Sequence, residues 1–189
     1  MDTTQAEDQL LGAADRLFYE HGIQAVGIDA VRAASGVSLK RLYQLFPSKQ
    51  HLVEAVLRRR DGDVRAALES YVAAAPTPVD RVLAVFDYLH DWFGEPDFRG
   101  CAFINSYAEL GGSSSEVADV VRAHKQALRE LLTDLVRATG RPVEVAEQLV
   151  VLANGAMVTA AIDGSPETAR VARAAAEHLL GASREEPRA

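Results

Sequence analysis

Apolar residues recur along this chain at helical spacing. Leu10, Leu11, Ala14, Leu17 and Phe18 follow the i, i+3/i+4, i+7 order of one buried helix face. Thr4 with Glu7 predicts a capping box at its start, and Gly22 a stop. A short helix is predicted at 28–34, then a turn at Ser35-Gly36-Val37, then a helix at 38–46. Pro47 ends that helix, because its ring and missing N–H cannot continue the ladder. Ser48 predicts the cap of a long fourth helix that turns Leu52, Val53, Val56, Leu57, Val64, Leu68 and Tyr71 inward, with Gly62 as a point where it can bend.

The pattern continues in the second half. Thr77-Pro78 supplies an N-cap and a proline for the next first turn, and the helix it opens buries Val82, Val85, Phe86, Leu89 and Phe93. Residues 101–110 predict a short helix, and Ser113 with Glu116 a second capping box. A long stripe follows: Val117, Val120, Val121, His124, Leu128, Leu131, Leu132 and Leu135. Gly140-Arg141-Pro142 and Gly164-Ser165-Pro166 then separate helices expected at 143–162 and 166–180. Residues 184–189 predict a disordered tail. No strand alternation occurs, so the expected fold is all-α with about nine helices.

Composition narrows the class. Of 189 residues, 48% are hydrophobic and 25% charged, ordinary usage for a globular chain. No apolar run approaches the roughly 18 residues of a membrane span, and the N-terminus lacks the basic-then-apolar order of a signal peptide. The expectation is a cytoplasmic protein with no membrane contact. A lone cysteine, Cys101, excludes an internal disulfide and a cysteine-based zinc cluster. The net charge is −7, yet residues 25–60 hold seven cations (Arg32, Lys40, Arg41, Lys49, Arg58, Arg59, Arg60) against Asp29 and Glu54. A small basic segment on an acidic body can meet phosphates locally, and a solvated charged face fits the same composition.

Helix, three-residue turn with a central Gly, helix is the order of a helix-turn-helix. Gly36 suits the left-handed backbone that such a turn requires. Val31, Ala34, Val37, Leu42, Leu45 and Phe46 are expected to bury the inner faces, leaving Ser38, Leu39, Lys40, Arg41 and Gln44 to face outward. There a recognition helix meets double-stranded DNA. Lys40 or Arg41 can donate to guanine O6/N7, and Gln44 can bridge an adenine edge. Ser38 offers a hydroxyl to a phosphate, Tyr43 a phenol, and Lys49 a plain cation.

Residues 8–60 resemble the N-terminal domain of TetR-family transcriptional repressors. The resemblance is carried by "AADRLFYEHGIQAVGIDAVRAASGVS", "LYQLFPSK" and the apolar "HLVEAVLRRR". It implies that the helix before Phe-Pro-Ser-Lys lies in the major groove, and that Tyr43 and Lys49 occupy phosphate-contacting positions. It also implies a divergent helical ligand-binding and dimerisation domain. Residues 1–50 are thus expected to form the DNA-binding domain and 51–183 the helical body. Where the family often has Lys-Gly-Thr before Leu-Tyr, this chain has Leu39-Lys40-Arg41, and Leu45 stands where a His is common. The Thr or Ser that usually enters the second helix is replaced by Val26-Gly27, which leaves Gly27 at a DNA-facing helix start.

For the body, an apolar cavity with a few polar groups is the default small-molecule site. The candidates are Phe86, His90, Phe103, Asn105, Tyr107, His124, Asn154 and Met157; for any single aromatic, ordinary core packing is the first account. Residues 100–109 resemble a pocket-lining segment of one subset of the family, which singles out Asn105. The last two long helices are rich in small residues that let helix axes approach closely. Leu149, Leu152, Ala153, Ala156, Ala160, Ala172, Ala175, Ala176 and Leu179 are therefore candidates for a homodimer interface, and intrachain packing would use the same residues.

No Gly-rich phosphate loop, HExxH, GxSxG or CxxC occurs. The expectation is a non-enzyme without cofactor or metal. The protein is expected to be a dimeric transcriptional repressor that binds a palindromic operator and is released by a largely apolar small molecule. The alternative is a helical, small-molecule-binding dimer with no DNA function.

Overall fold

A computed structural model describes residues 2–181. The expected tail, 184–189, lies outside the described residues. Among those described there are nine helices and no strand: α1 Thr3–His21, α2 Ile28–Ser35, α3 Leu39–Leu45, α4 Lys49–Ala74, α5 Pro78–Phe93, α6 Ala102–Leu110, α7 Ser115–Ala138, α8 Glu144–Asp163 and α9 Glu167–Leu179. The all-α expectation holds, and helix bounds agree within a residue or two.

Two caps sit elsewhere than the sequence pattern places them. The α1 cap is Asp2, whose carboxylate accepts from the Thr3 N–H at 2.5 Å, so Thr4 lies inside the first turn. Before α7, Ser114 and not Ser113 accepts from the Val117 N–H, at 3.1 Å, while Ser113 donates back to the Leu110 carbonyl. Ser48 and Thr77 cap as expected, accepting from His51 at 3.3 Å and Asp80 at 3.1 Å. α4 passes through Gly62 as one helix.

The chain divides into two compact units. The first comprises the chain through Asp63 together with Cys101–His124. Its core is built from Leu10, Ala14, Val31, Leu42, Leu52 and Val53, all essentially solvent-free, and from Phe103 and Val117. α6 and the start of α7 are therefore structural parts of this unit, held to it by side chains. The Glu109 carboxylate, at the end of α6, accepts from the backbone N–H groups of Ile23 at 3.0 Å and Gln24 at 2.8 Å. The Gln24 side chain returns a hydrogen bond to the Glu109 carbonyl at 2.7 Å. Gln50, in the first turn of α4, donates to Ser114 Oγ and Glu116 Oε2, both at 2.8 Å.

The second unit comprises Val64–Gly100 and the chain from Lys125. α5, α8 and α9 pack on one another around Val82, Phe86, Leu89, Leu149, Ala153, Ala160, Ala169 and Ala176. α8 departs from the expectation about membrane spans. An 18-residue window within it reaches a mean hydropathy of 1.6, enough by length and composition alone to cross a bilayer. Its carboxylates cluster toward its two ends and its middle is mostly Ala, Val and Leu, with only Asn154 and Thr159 as polar interruptions.

Candidate nucleic-acid interface

The turn between α2 and α3 is made by Gly36, at φ 70° and ψ 6°, the left-handed conformation that costs a Cβ-bearing residue about 1–2 kcal/mol. Its N–H returns to the Arg32 carbonyl at 3.1 Å, closing α2. Val31, Val37, Leu42 and Phe46 bury the inner faces and fix how α2 and α3 cross. Ala34, expected with them, is exposed, and Leu45 is half-buried. Gly27 is the N-cap of α2 and offers no side-chain acceptor. Ser38 caps α3 by accepting from the Arg41 N–H at 3.3 Å, so its oxygen is engaged in the cap while its O–H remains a donor.

On α3, Leu39, Lys40, Tyr43 and Gln44 are exposed and Arg41 is half-buried. Leu39 and Tyr43, 41% and 47% exposed, form an apolar flank with no core to cover it. Electrostatics separates the cations of this segment. Arg32, Arg58, Arg59 and Arg60 each pair with a carboxylate: Asp29 at 3.5 Å, Glu54 at 3.8 Å, Asp8 at 3.5 Å, and Asp15 in a two-pronged contact at 2.8 Å. Lys40, Arg41 and Lys49 make no ion pair among the described residues. Lys49 sits over the Phe18 ring, 6.0 Å from its centroid, and partial burial pushes its ammonium below the ordinary lysine range, partly offset by the nearby Glu109 charge. The sequence thus contains seven cations here, and folding leaves three of them outside carboxylate pairs, all on or just beyond α3.

Comparison with known proteins agrees with this geometry. The family described as bacterial regulatory proteins, tetR family, matches residues 10–56, and the tetracyclin repressor-like C-terminal domain matches residues 78–176. A TetR-family transcriptional regulator from Streptomyces coelicolor has a solved structure that superposes with a TM-score of 0.89 at 33% identity, covering 95% of this chain and 96% of that one. This chain belongs to the TetR family.

It is a DNA-binding transcriptional regulator of that family. Two curated relatives show how functions diverge within it. The HTH-type transcriptional activator FasR of Mycolicibacterium smegmatis is 31% identical over 130 residues, 68% of this chain and 57% of FasR. The HTH-type transcriptional repressor ComR of Escherichia coli is 29% identical over 125 residues, 65% of this chain and 59% of ComR. The matches to these two relatives thus span less than two thirds of each relative's length.

The ligand candidates of this TetR chain divide between its two units. In the first, Phe103 is buried and stacks on His124, ring centroids 3.5 Å apart and nearly parallel, and His124 Nδ1 meets Asp61 Oδ1 at 2.6 Å. Tyr107 is 46% exposed on α6. Asn105 lines, with Phe18, Tyr19, Val53 and Arg60, a small cavity of about 30 Å³. In the second unit, Asn154 and Met157 come together around Lys125, which the sequence did not single out. Lys125 Nζ donates to Asn154 Oδ1 at 2.8 Å and lies 4.0 Å from the Met157 sulfur. Phe86 and His90 line a charged groove of about 460 Å³ with Asp87, Asp91, Arg173 and Glu177.

The dimer candidates sort by burial. Leu149, Ala153, Ala156, Ala160, Ala172 and Ala176 face their own unit's core. Leu152, Ala175 and Leu179 line a shallow apolar groove of about 840 Å³ on α8 and α9 with Val151. Val151, Val158, Ile162 and Val171 are 72%, 43%, 78% and 71% exposed, a concentration of large apolar side chains at the surface.

Proposed function

We propose that the chain is a repressor that binds a palindromic operator as a homodimer and leaves it when a small molecule enters the helical body. The observation that carries the DNA reading is the selective freeing of Lys40, Arg41 and Lys49 around a solvent-facing α3, while the neighbouring arginines are neutralised by carboxylates. In this reading residues 1–50 form the reading head, 51–183 the body, and the protein works in the cytoplasm. Ser38, Tyr43 and Lys49, with the Gly27 helix start, hold phosphates, Leu39, Lys40 and Gln44 meet base edges, and Arg41 stands beside them on the flank of α3.

One such head makes too few contacts for specific binding, so two must read half-sites about 34–36 Å, or a multiple, apart. The exposed apolar residues Val151, Val158, Ile162 and Val171, with the groove lined by Leu152, Ala175 and Leu179, support a dimer through α8 and α9. Release requires an effector to favour a head spacing that no longer matches successive major grooves, a coupling of about 1–3 kcal/mol. α4 and α7 each run continuously from one unit into the other, which supports them as the connection.

The test is selection of bound duplexes from a random DNA library, followed by gel-shift titration at several salt concentrations. Recovery of an inverted repeat bound by a dimer is expected. A folded dimer that recovers no sequence and shifts no DNA at low salt would defeat the proposal.

A further inference from the structure

α3 has seven residues, and its burial pattern orients it. Leu42 and Phe46 point inward, so Lys40 and Gln44, four residues apart, share the middle of the exposed face. Arg41 lies on the flank next to the start of α1. Its guanidinium is held there from two sides. One nitrogen donates to Thr3 Oγ1 and the other to Gln44 Oε1 at 3.3 Å. Thr3 is fixed in turn by the Asp2 cap, and the Arg41 backbone by the Ser38 cap.

This chain of contacts has a chemical consequence at its end. Arginine can only donate, so it can engage only the oxygen of the Gln44 amide, and the contact settles which way that amide points. Building on the DNA reading above, we infer that Thr3 and Arg41 are positioning residues that make Gln44 a donor-only reader, selecting guanine where a free glutamine would take adenine. Adenine presents N7 as acceptor and N6–H as donor, and a glutamine matches it with its NH2 and its oxygen together. Guanine presents two acceptors, N7 and O6, and asks only for donors. With its oxygen turned back to Arg41, Gln44 offers the NH2, and Lys40 beside it adds a second donor of the same preference.

The experiment is library selection with the full chain and five variants, reading base frequencies at each operator position. Q44A identifies the position that Gln44 reads by erasing the preference there. Wild type is expected to select guanine at that position. R41A and T3V are expected to move it toward adenine by roughly tenfold, the lower part of the range for a bidentate base contact, whereas T3S, which keeps the hydroxyl, retains guanine. R41K keeps the charge but not the two-pronged fork, so it should lose the guanine preference with an unchanged salt dependence. It also stands in for R41A if that variant proves unfolded by circular dichroism. Adenine selected by wild type would overturn the inference. So would a base change in R41A at a position that Q44A leaves alone. Equal weakening of R41A on all sequences with a shallower salt slope would overturn it too, because that marks a phosphate contact. These outcomes leave the DNA reading standing. Failure of wild type to select any sequence removes both.

Discussion

Removing the Glu109 carboxylate should loosen the reading head although Glu109 lies 85 and 86 residues from the groups it binds. Its two oxygens accept from consecutive backbone N–H groups in the loop between α1 and α2, and a Cβ built on Gly22 would stand 3.4 Å from both. Hydrogen bonds to a charged partner contribute about 1.5–3 kcal/mol each. Gln24 is exposed and its N–H can turn to water, which puts its share at the bottom of that range or below. The Ile23 bond is partly buried, and Ile23 itself is 5% exposed, so its N–H loses more. Together Glu109→Ala should cost about 2–3 kcal/mol. For a chain of this size that lowers Tm by roughly 4–12 °C. Glu109→Gln should recover little, because one end of the amide accepts while the other sets an N–H against an N–H. Urea titrations followed at 222 nm, at fixed protein concentration so that association cancels, measure the difference. A loss below about 0.5 kcal/mol for Glu109→Ala, the size of an ordinary surface substitution, would refute the claim that α6 fastens the head.

Four further outcomes are expected. Gly36→Ala should destabilise by about 1–2 kcal/mol by equilibrium unfolding, purely through its backbone, since nothing lies within 4 Å of the added methyl. Lys49→Ala should weaken binding to operator and unrelated DNA alike and flatten the log–log salt slope by about 1; a loss confined to the operator would assign Lys49 to base reading. Tyr71 donates to Asp91 at 2.7 Å. That bond, with a smaller one from His90, holds the Asp91 carboxyl below its usual 3.8, and the same bond raises the Tyr71 phenol above 10.0. The Asp91 contribution is present above the unfolded value and is lost as pH falls through the folded one; the Tyr71 contribution is present below about 10 and is lost as pH rises through its folded value. Tyr71→Phe should therefore cost a constant amount across the neutral range and converge on wild type at both extremes in unfolding measured against pH; a gap unchanged at low pH would contradict the pairing. Ile162→Arg should yield a folded monomer by sedimentation velocity, and a dimer of unchanged affinity would move the interface off this face.

What the sequence alone conveys follows the range of the forces involved. The reading head is legible because Gly36, Pro47 and the Val37/Leu42/Phe46 face each act within a turn or two of themselves. Caps shift by a residue or two where acceptors crowd: Asp2 competes with Thr3 and Thr4, and Ser113, Ser114 and Ser115 offer three equivalent hydroxyls. Contacts across 38 residues, such as Arg41 to Thr3, or 86, such as Glu109 to the Ile23 N–H, leave no local trace. A glutamate at a helix end reads as solvated charge until the fold brings backbone donors to it.

α8 shows how one pattern can hold two faces. Leu149, Ala153, Ala156 and Ala160 repeat at three and four residues and bury against its own unit. Val151, Val158 and Ile162 repeat at seven and four on a different side and stay exposed. Small residues suit a close intrachain crossing, where a large side chain would hold the axes apart. Large β-branched residues gain most from being covered: burying a fully exposed Val or Ile contributes about 1.5–3 kcal/mol each. A helix that is apolar all round requires cover all round. The fold supplies one side, so in the dimer proposed above the second apolar stripe is the part of α8 with most free energy to gain from cover.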